Sequence, residues 1–180
     1  MPEIQIRPAA ANDLVHLVKI EHSYQSLYVW QMDRMVEDGQ FAVNFRQTRL
    51  PRPVRVEYSG SHPLLNEENW PRYQAVFVAL LADIPVGYIG LSGQFSPKTA
   101  WITDCAVRED MRRKGIGTAL VLAAQEWSME NGFRKTILEM QSKNHPAIQM
   151  ARKLGYEFCG YNDHYFANQD IALFFSRTLR

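Results

Sequence analysis

A strand that runs into a glycine turn at the head of an amphipathic helix limits the fold of this chain more than any other stretch. Residues 101–107 read as a strand, and RRKGIGTAL (112–120) follows, two glycines one residue apart behind three cations. The helix predicted over 115–130 gathers Ile116, Ala119, Leu120, Ala123 and Trp127 on one face. Its first amides lack intrahelical partners, and the macrodipole adds positive charge there. Glycine at 115 and 117 removes the Cβ atoms that would hold an anion away from those amides. Thr118 adds a hydroxyl, and Arg112, Arg113 and Lys114 add charge at the rim. A bare Gly-x-Gly is also a common tight turn, so the surrounding pattern decides between turn and phosphate cradle.

Two better-known phosphate loops are excluded. A dinucleotide fingerprint needs a third glycine where Leu120 stands, and a nucleotide-triphosphate loop needs Gly-Lys-Ser/Thr, which is absent. Composition narrows the field further. Of 180 residues, 46% are apolar and 22% charged, enough for one domain with a sizeable core. A net charge of +1 offers no global field for nucleic acid or an anionic membrane. The longest apolar run, Ala75 to Ala82, is too short to span a bilayer. No secretory signal is visible in MPEIQIRPAA, and the two cysteines, Cys105 and Cys159, require no disulfide; a cytoplasmic protein is expected.

The rest of the chain reads as follows. Ile4-Gln5-Ile6 alternates as a strand closed by Pro8, and Asn12 or Asp13 caps a helix through Leu14, Leu17, Val18 and Glu21. A second helix is predicted through Val29, Met32, Met35 and Val36, ending at Gly39. Residues 41–49 are strand-like, interrupted by Pro51 and Pro53, with 54–56 extended beyond. Residues 59–71 are rich in turn formers and read as a long loop. Residues 75–82 and 86–91 form an antiparallel hairpin about Asp83-Ile84-Pro85. Gly132 ends the 115–130 helix, and residues 136–138 make the next strand. Asn144 caps a further helix with Pro146 in its first turn and Gly155 at its end, and the aromatic-rich remainder forms a closing hairpin.

Strand, Arg112-Arg113-Lys114-Gly115-Ile116-Gly117, helix, strand, then Asn144-x-x-Ala147 and Leu154-Gly155-Tyr156: this order resembles the GCN5-related N-acetyltransferase superfamily. Its Gln/Arg-x-x-Gly-x-Gly/Ala signature binds the pyrophosphate of acetyl-CoA. Asp104-Cys105-Ala106-Val107, Leu138-Glu139-Met140-Gln141 and Tyr165-Phe166-Ala167-Asn168 look like the streptothricin acetyltransferase branch, and ribosomal-protein N-terminal acetyltransferases share much of the same tail. The resemblance implies one α/β domain over 1–180 with a mixed, mostly antiparallel and centrally splayed sheet flanked by helices. Residues 1–74 form the acceptor side and 75–180 the acetyl-CoA-binding core. Superfamily members often pair through the end of the sheet, which leaves a homodimer open.

The resemblance also assigns roles. The backbone of Cys105, Ala106 and Val107 holds the pantetheine arm and polarises the thioester, the loop from Arg112 to Thr118 takes the pyrophosphate, and Asn144 and Ala147 line the arm. The arginine series 46, 49, 52 and 55 reads as a solvated edge or arm, with contact to an acidic partner or to the ribose phosphate as the alternative, and Lys153 is a comparable candidate for that phosphate. Acetyl transfer to an amine needs a base for the ammonium proton, and Asp104 and Glu139 are the two candidates, one on each splayed strand. The family's usual acid, a tyrosine twelve residues after that glutamate, is replaced by Ala151. Tyr165, Tyr161 or water can stand in, or the thiolate leaves unprotonated. The histidines at 16, 22, 62, 145 and 164 have no metal-ligand spacing, so no metal is expected, and His145 reads as a surface residue. Tyr24, Tyr28 and Trp30, with Glu21 and Asp33, either line an amine cleft or pack between the first two helices. The acceptor is a small-molecule or peptide amine, with a non-catalytic CoA-binding module as the rival.

Overall fold

Alternation along the apolar strands sets up two cores, one on each side of a single sheet. The structure is a computed structural model that describes residues 3–57, 65–92 and 96–180. Strand β4 (Ala75–Leu81) divides its side chains between the cores: Phe77 and Ala79 face one way, Val76, Val78 and Leu80 the other. The seven-stranded sheet adds β1 (Ile4–Pro8), β5 (Ile84–Ser92), β6 (Thr99–Val107), β7 (Lys135–Gln141), β8 (Glu157–Asn162) and β9 (Ala172–Thr178), in the order β1-β4-β5-β6-β7-β9-β8. All neighbours are antiparallel except β6 and β7. This is the mixed, mostly antiparallel sheet expected. Helices α2 (Ile116–Glu130) and α3 (His145–Lys153) cover the larger core through Ile116, Leu120, Val121, Ala124, Ile148 and Ala151. The buried stripe of α2 is rotated from the predicted one: Val121 and Ala124 are buried, whereas Ala123 and Trp127 are half-buried.

The opposite face is covered by a helix much shorter than predicted. Asp13 accepts from the Ala10 amide at 2.7 Å and from the Arg7 guanidinium at 2.7 and 3.0 Å, which starts α1 (Leu14–Leu17) after one 3₁₀ turn. Leu14 and Leu17 are buried, but Val18, counted in the predicted stripe, is exposed.

The predicted second helix is wrong. Residues 24–37 form a strand, β2 (Tyr24–Glu37), paired with β3 (Gln40–Val56) in a separate two-stranded sheet around Asp38-Gly39. Gly39 has φ +79, so the turn takes the left-handed conformation that an Asp-Gly pair supplies. Cross-strand pairing outweighed the helix-like spacing of Val29, Met32 and Val36. Pro51 and Pro53 do not break β3. The register passes from Ser26↔Val54 to Tyr28↔Arg49, so residues 50–53 bulge opposite a single residue and absorb both missing donors.

The turn after β4 begins one residue earlier than predicted: Ala82 and Asp83, both at positive φ, make it, and Ile84 and Pro85 already belong to β5. The loop expected over 59–71 falls partly outside the described residues, as does His62. Within it, Asn66 and Asn69 exchange amide-to-side-chain bonds of 2.7 and 2.9 Å, and a 3₁₀ turn at Trp70–Arg72 delivers Tyr73 to β4. Among the described residues no helix is long and apolar enough to cross a membrane.

Candidate active site

The cleft opens where the parallel pair comes apart. β6 and β7 pair only from Thr99↔Lys135 to Ile102↔Leu138; beyond that point residues 103–107 and 139–141 have no register with each other. A bulge lies on the other side of β6 at the same level. Gly90 pairs with Asp104 but Leu91 with Ile102, so Thr103 is an extra residue. One added residue reverses the alternation of a strand. Ile102 therefore packs with α2, whereas Ala106 packs on the α1 side, and Asp104 turns that way with it. On β7, Leu138 and Met140 are core residues of the α2 side, so Glu139 also faces the opposite way. The two candidate bases thus share a face, one on each separated strand, and both line the cleft.

Each carboxylate accepts a bond from a tyrosine. Tyr165 donates its hydroxyl to Glu139 Oε2 at 3.1 Å, and Tyr73 donates to Asp104 Oδ2 at 2.6 Å, where the Thr103 hydroxyl adds a second bond at 3.1 Å. Asp104 is 3% exposed and Glu139 half-buried. Tyr73 escaped the sequence reading because it stands in no motif. Cys105 is reached by solvent yet surrounded by protein, and this enclosure with the neighbouring Asp104 charge pushes its thiol up to about 12.

His22 and Tyr24 close the cleft from the segment that enters β2. His22 Nε2 and the Tyr88 hydroxyl are 2.9 Å apart, and burial followed by the Arg112 charge lowers the imidazole to about 4. Tyr24 donates to Gln141 Oε1 at 2.8 Å, and burial, with a smaller push from Asp170, raises its phenol. Of the predicted aromatic cluster only Tyr24 lines the cleft. Tyr28 stacks on His145, and Trp30 Nε1 donates to His145 Nδ1 at 3.3 Å. His145 is accordingly a half-buried anchor for the hairpin rather than a surface residue.

The far wall is α3, through Asn144, Ala147 and Met150. Asn144 caps the helix, its Oδ1 accepting from Ala147 N at 3.2 Å. Ala151 is 0% exposed in the core, so the position at which a tyrosine was missed does not line the cleft; Met150 beside it does. The Met150 sulfur lies 3.3 Å from where a Cβ on Gly117 would stand, which joins the cleft wall to the glycine loop. Gly115 takes φ +83 as the N-cap of α2, with Arg113 before it at φ +65. Ile116 is buried, Thr118 half-buried, and Arg113 and Lys114 exposed. Arg112 turns its guanidinium away to bond the carbonyls of Val107 (2.8 Å), Ser23 (2.7 Å) and Glu21 (2.5 Å). Lys153 is exposed at the end of α3, outside the cleft lining. Tyr161, the other acid candidate, packs on Phe45 of the hairpin.

A parallel pair parted next to a glycine-capped helix is the arrangement for which comparison is decisive. The pattern of the acetyltransferase (GNAT) family matches residues 41–156. The chain belongs to that family. It is 35% identical over 160 residues to a streptothricin acetyltransferase of Streptomyces lavendulae, covering 87% of this chain and 82% of that protein. It is 29% identical over 140 residues to an N-alpha-acetyltransferase of Saccharolobus solfataricus, covering 62% and 80%. Among solved structures, a Bacillus anthracis protein assigned to the streptothricin acetyltransferases, in complex with acetyl coenzyme A, superposes with a TM-score of 0.78. That match covers 98% of this chain and 99% of the other at 21% identity. This last likeness speaks for the fold.

Proposed function

We propose that this family member transfers acetyl from acetyl-CoA to a primary amine by direct attack, without an acyl-enzyme. The observation that carries the reading is the gap between β6 and β7, lined by Asp104 and Glu139 and continuous through Met150 with the glycine loop. In it the pantetheine arm lies along the open backbone of Cys105, Ala106 and Val107, where an amide polarises the thioester carbonyl. The amides from Gly115 to Thr118, with Arg113 and Lys114 at the rim, take the pyrophosphate, and Lys153 stands at the outer end for the ribose phosphate. Ala147 packs on the arm, and Asn144, its Oδ1 engaged in capping, offers its amide hydrogens.

Glu139, more open than Asp104, accepts the ammonium proton. The freed amine attacks the thioester carbon, the C–S bond breaks, the sulfur leaves as a thiolate, and the nitrogen gives up its second proton to solvent as the amide forms. Tyr165 directs its proton to Glu139 and so orients the base rather than serving the sulfur. A thiolate departs without an acid more readily than an alkoxide, and Ala151, buried in the core, gives no ground for a non-catalytic module. The acceptor is a small amine of the streptothricin kind, supported by the Streptomyces lavendulae relative; the Saccharolobus relative supports a peptide N-terminus as the second reading. The free cysteines fit a reducing cytoplasm.

The test is mass spectrometry of the protein incubated with acetyl-CoA and a panel of a streptothricin, polyamines, aminoglycosides and short peptides. One acetyl group on the streptothricin is the expected result. Acetylated peptides alone move the acceptor to protein N-termini, and no product on any amine refutes the enzyme reading.

A further inference from the structure

Tyr73 is held in place by an absence. A Cβ on Gly90 would come within 2.5 and 2.8 Å of two Tyr73 ring carbons, distances no side chain tolerates, so the ring lies directly on the glycine. Gly90 is the cross-strand partner of Asp104, and the would-be Cβ stands 3.6 Å from Asp104 Cβ. From this seat the Tyr73 hydroxyl reaches Asp104 Oδ2 at 2.6 Å, the shorter of the two side-chain bonds described there. The bulge at Thr103 has turned the carboxylate to the same face. Three features of different origin (a missing side chain on β5, an extra residue on β6 and a tyrosine at the end of a loop) converge on one nearly buried acid in the wall of the cleft.

We propose that Tyr73 is a positioning residue that fixes Asp104 as a buried negative charge, and that this charge draws the ammonium of the acceptor into the gap where Glu139 takes its proton. The assignment rests on the acetyltransferase reading and divides the labour between the two carboxylates. A carboxylate that accepts two hydroxyl bonds at 3% exposure is oriented and shielded from competing water, so it acts through its field rather than by exchanging a proton. Glu139, half-buried where Asp104 is 3% exposed, is the more open of the two and the one placed to exchange a proton.

The experiment measures spermidine binding by titration calorimetry, with and without saturating CoA, for the wild type, Tyr73→Phe, Asp104→Asn and the double variant. Asp104→Asn weakens binding roughly tenfold, and Tyr73→Phe, which keeps the ring on Gly90, weakens it several-fold. The double variant matches Asp104→Asn alone, because the hydroxyl acts only through the carboxylate. Gly90→Ala, which displaces the ring with Tyr73 intact, reproduces the tyrosine variant. CoA affinity of Tyr73→Phe stays at the wild-type value and its melting temperature falls only modestly, by what one bond lost from a buried carboxylate costs, and its loss in turnover falls on the acceptor KM rather than on kcat. Wild-type affinity in Tyr73→Phe or Asp104→Asn, losses that multiply in the double variant, or no spermidine binding by the wild type overturns the proposal. Spermidine that binds in this pattern while no amine is ever acetylated refutes the enzyme reading and leaves the role of Tyr73 standing.

Discussion

Restoring the tyrosine that the sequence lacks at position 151 separates the structural account of this site from one built on motif spacing. If residue 151 met the sulfur of the cofactor, Ala151→Tyr would supply an acid and raise kcat. Here Ala151 is 0% exposed, packed with Ile148 and Tyr156 against the sheet, and its carbonyl accepts from Tyr156 N at 3.0 Å. A phenol ring has no room there, and forcing it in costs about 1–3 kcal/mol of overpacking. Its hydroxyl, lodged in an apolar core, adds about 1–3 kcal/mol if no partner is within reach. The sum, roughly 2–6 kcal/mol, corresponds to a fall of about 5–20 °C in melting temperature for a chain of this length. Calorimetry gives that fall, and steady-state kinetics with acetyl-CoA below the transition gives no gain in kcat. A variant with unchanged melting temperature and a faster kcat would refute the placement of Ala151 in the core and return position 151 to the chemistry.

Three further outcomes follow from the geometry. Arg112→Lys leaves one ammonium for three carbonyls, so it loosens the segment carrying His22 and raises the acceptor KM about tenfold; a matching rise confined to acetyl-CoA would instead make Arg112 a pyrophosphate ligand. His22, lowered from 6.5 to about 4, binds its proton in the unfolded chain first, so stability is full above about pH 6.5 and declines as pH falls towards 4. The loss is at most about 3 kcal/mol; His145, lowered in the same sense, adds to it, and His22→Asn flattens the melting-temperature profile across that window. Cys105, pushed up to about 12, is alkylated by iodoacetamide at pH 8 at least about tenfold more slowly than exposed Cys159, as peptide mapping reads directly.

The half of the fold that lies after Ala75 was legible because its signals are local. Gly132 and Gly155 stop their helices at φ +79 and +74, Asn144 caps α3, and the strands between are short and apolar. The 24–37 segment was misread because its decisive signal is a pairing. Val29, Met32 and Val36 mimic a helical stripe, while the contrary sign, Asp38-Gly39 between two runs rich in aromatic and β-branched residues, counts only if the two runs are read together. The glycine loop and both cleft carboxylates could be named from their motifs. Their partners could not: Tyr73 is brought to Asp104 by the register of β5 on β6, and Arg112 finds Ser23 and Glu21 eighty-nine and ninety-one residues away. Composition and spacing carry no trace of such distant meetings.

The bulge of residues 50–53 has a consequence beyond the shape of the hairpin. A seventeen-residue strand whose outer edge offered a full row of amide donors and carbonyl acceptors would be a template for any extended chain that met it. Pro51 and Pro53 carry no amide hydrogen, and the irregular register around them breaks the spacing a foreign strand would have to match. Exposed arginines at 46, 49, 52 and 55 add charge along the same strand. Replacing the two prolines would restore two donors to this seventeen-residue strand and make it a better template for a foreign chain.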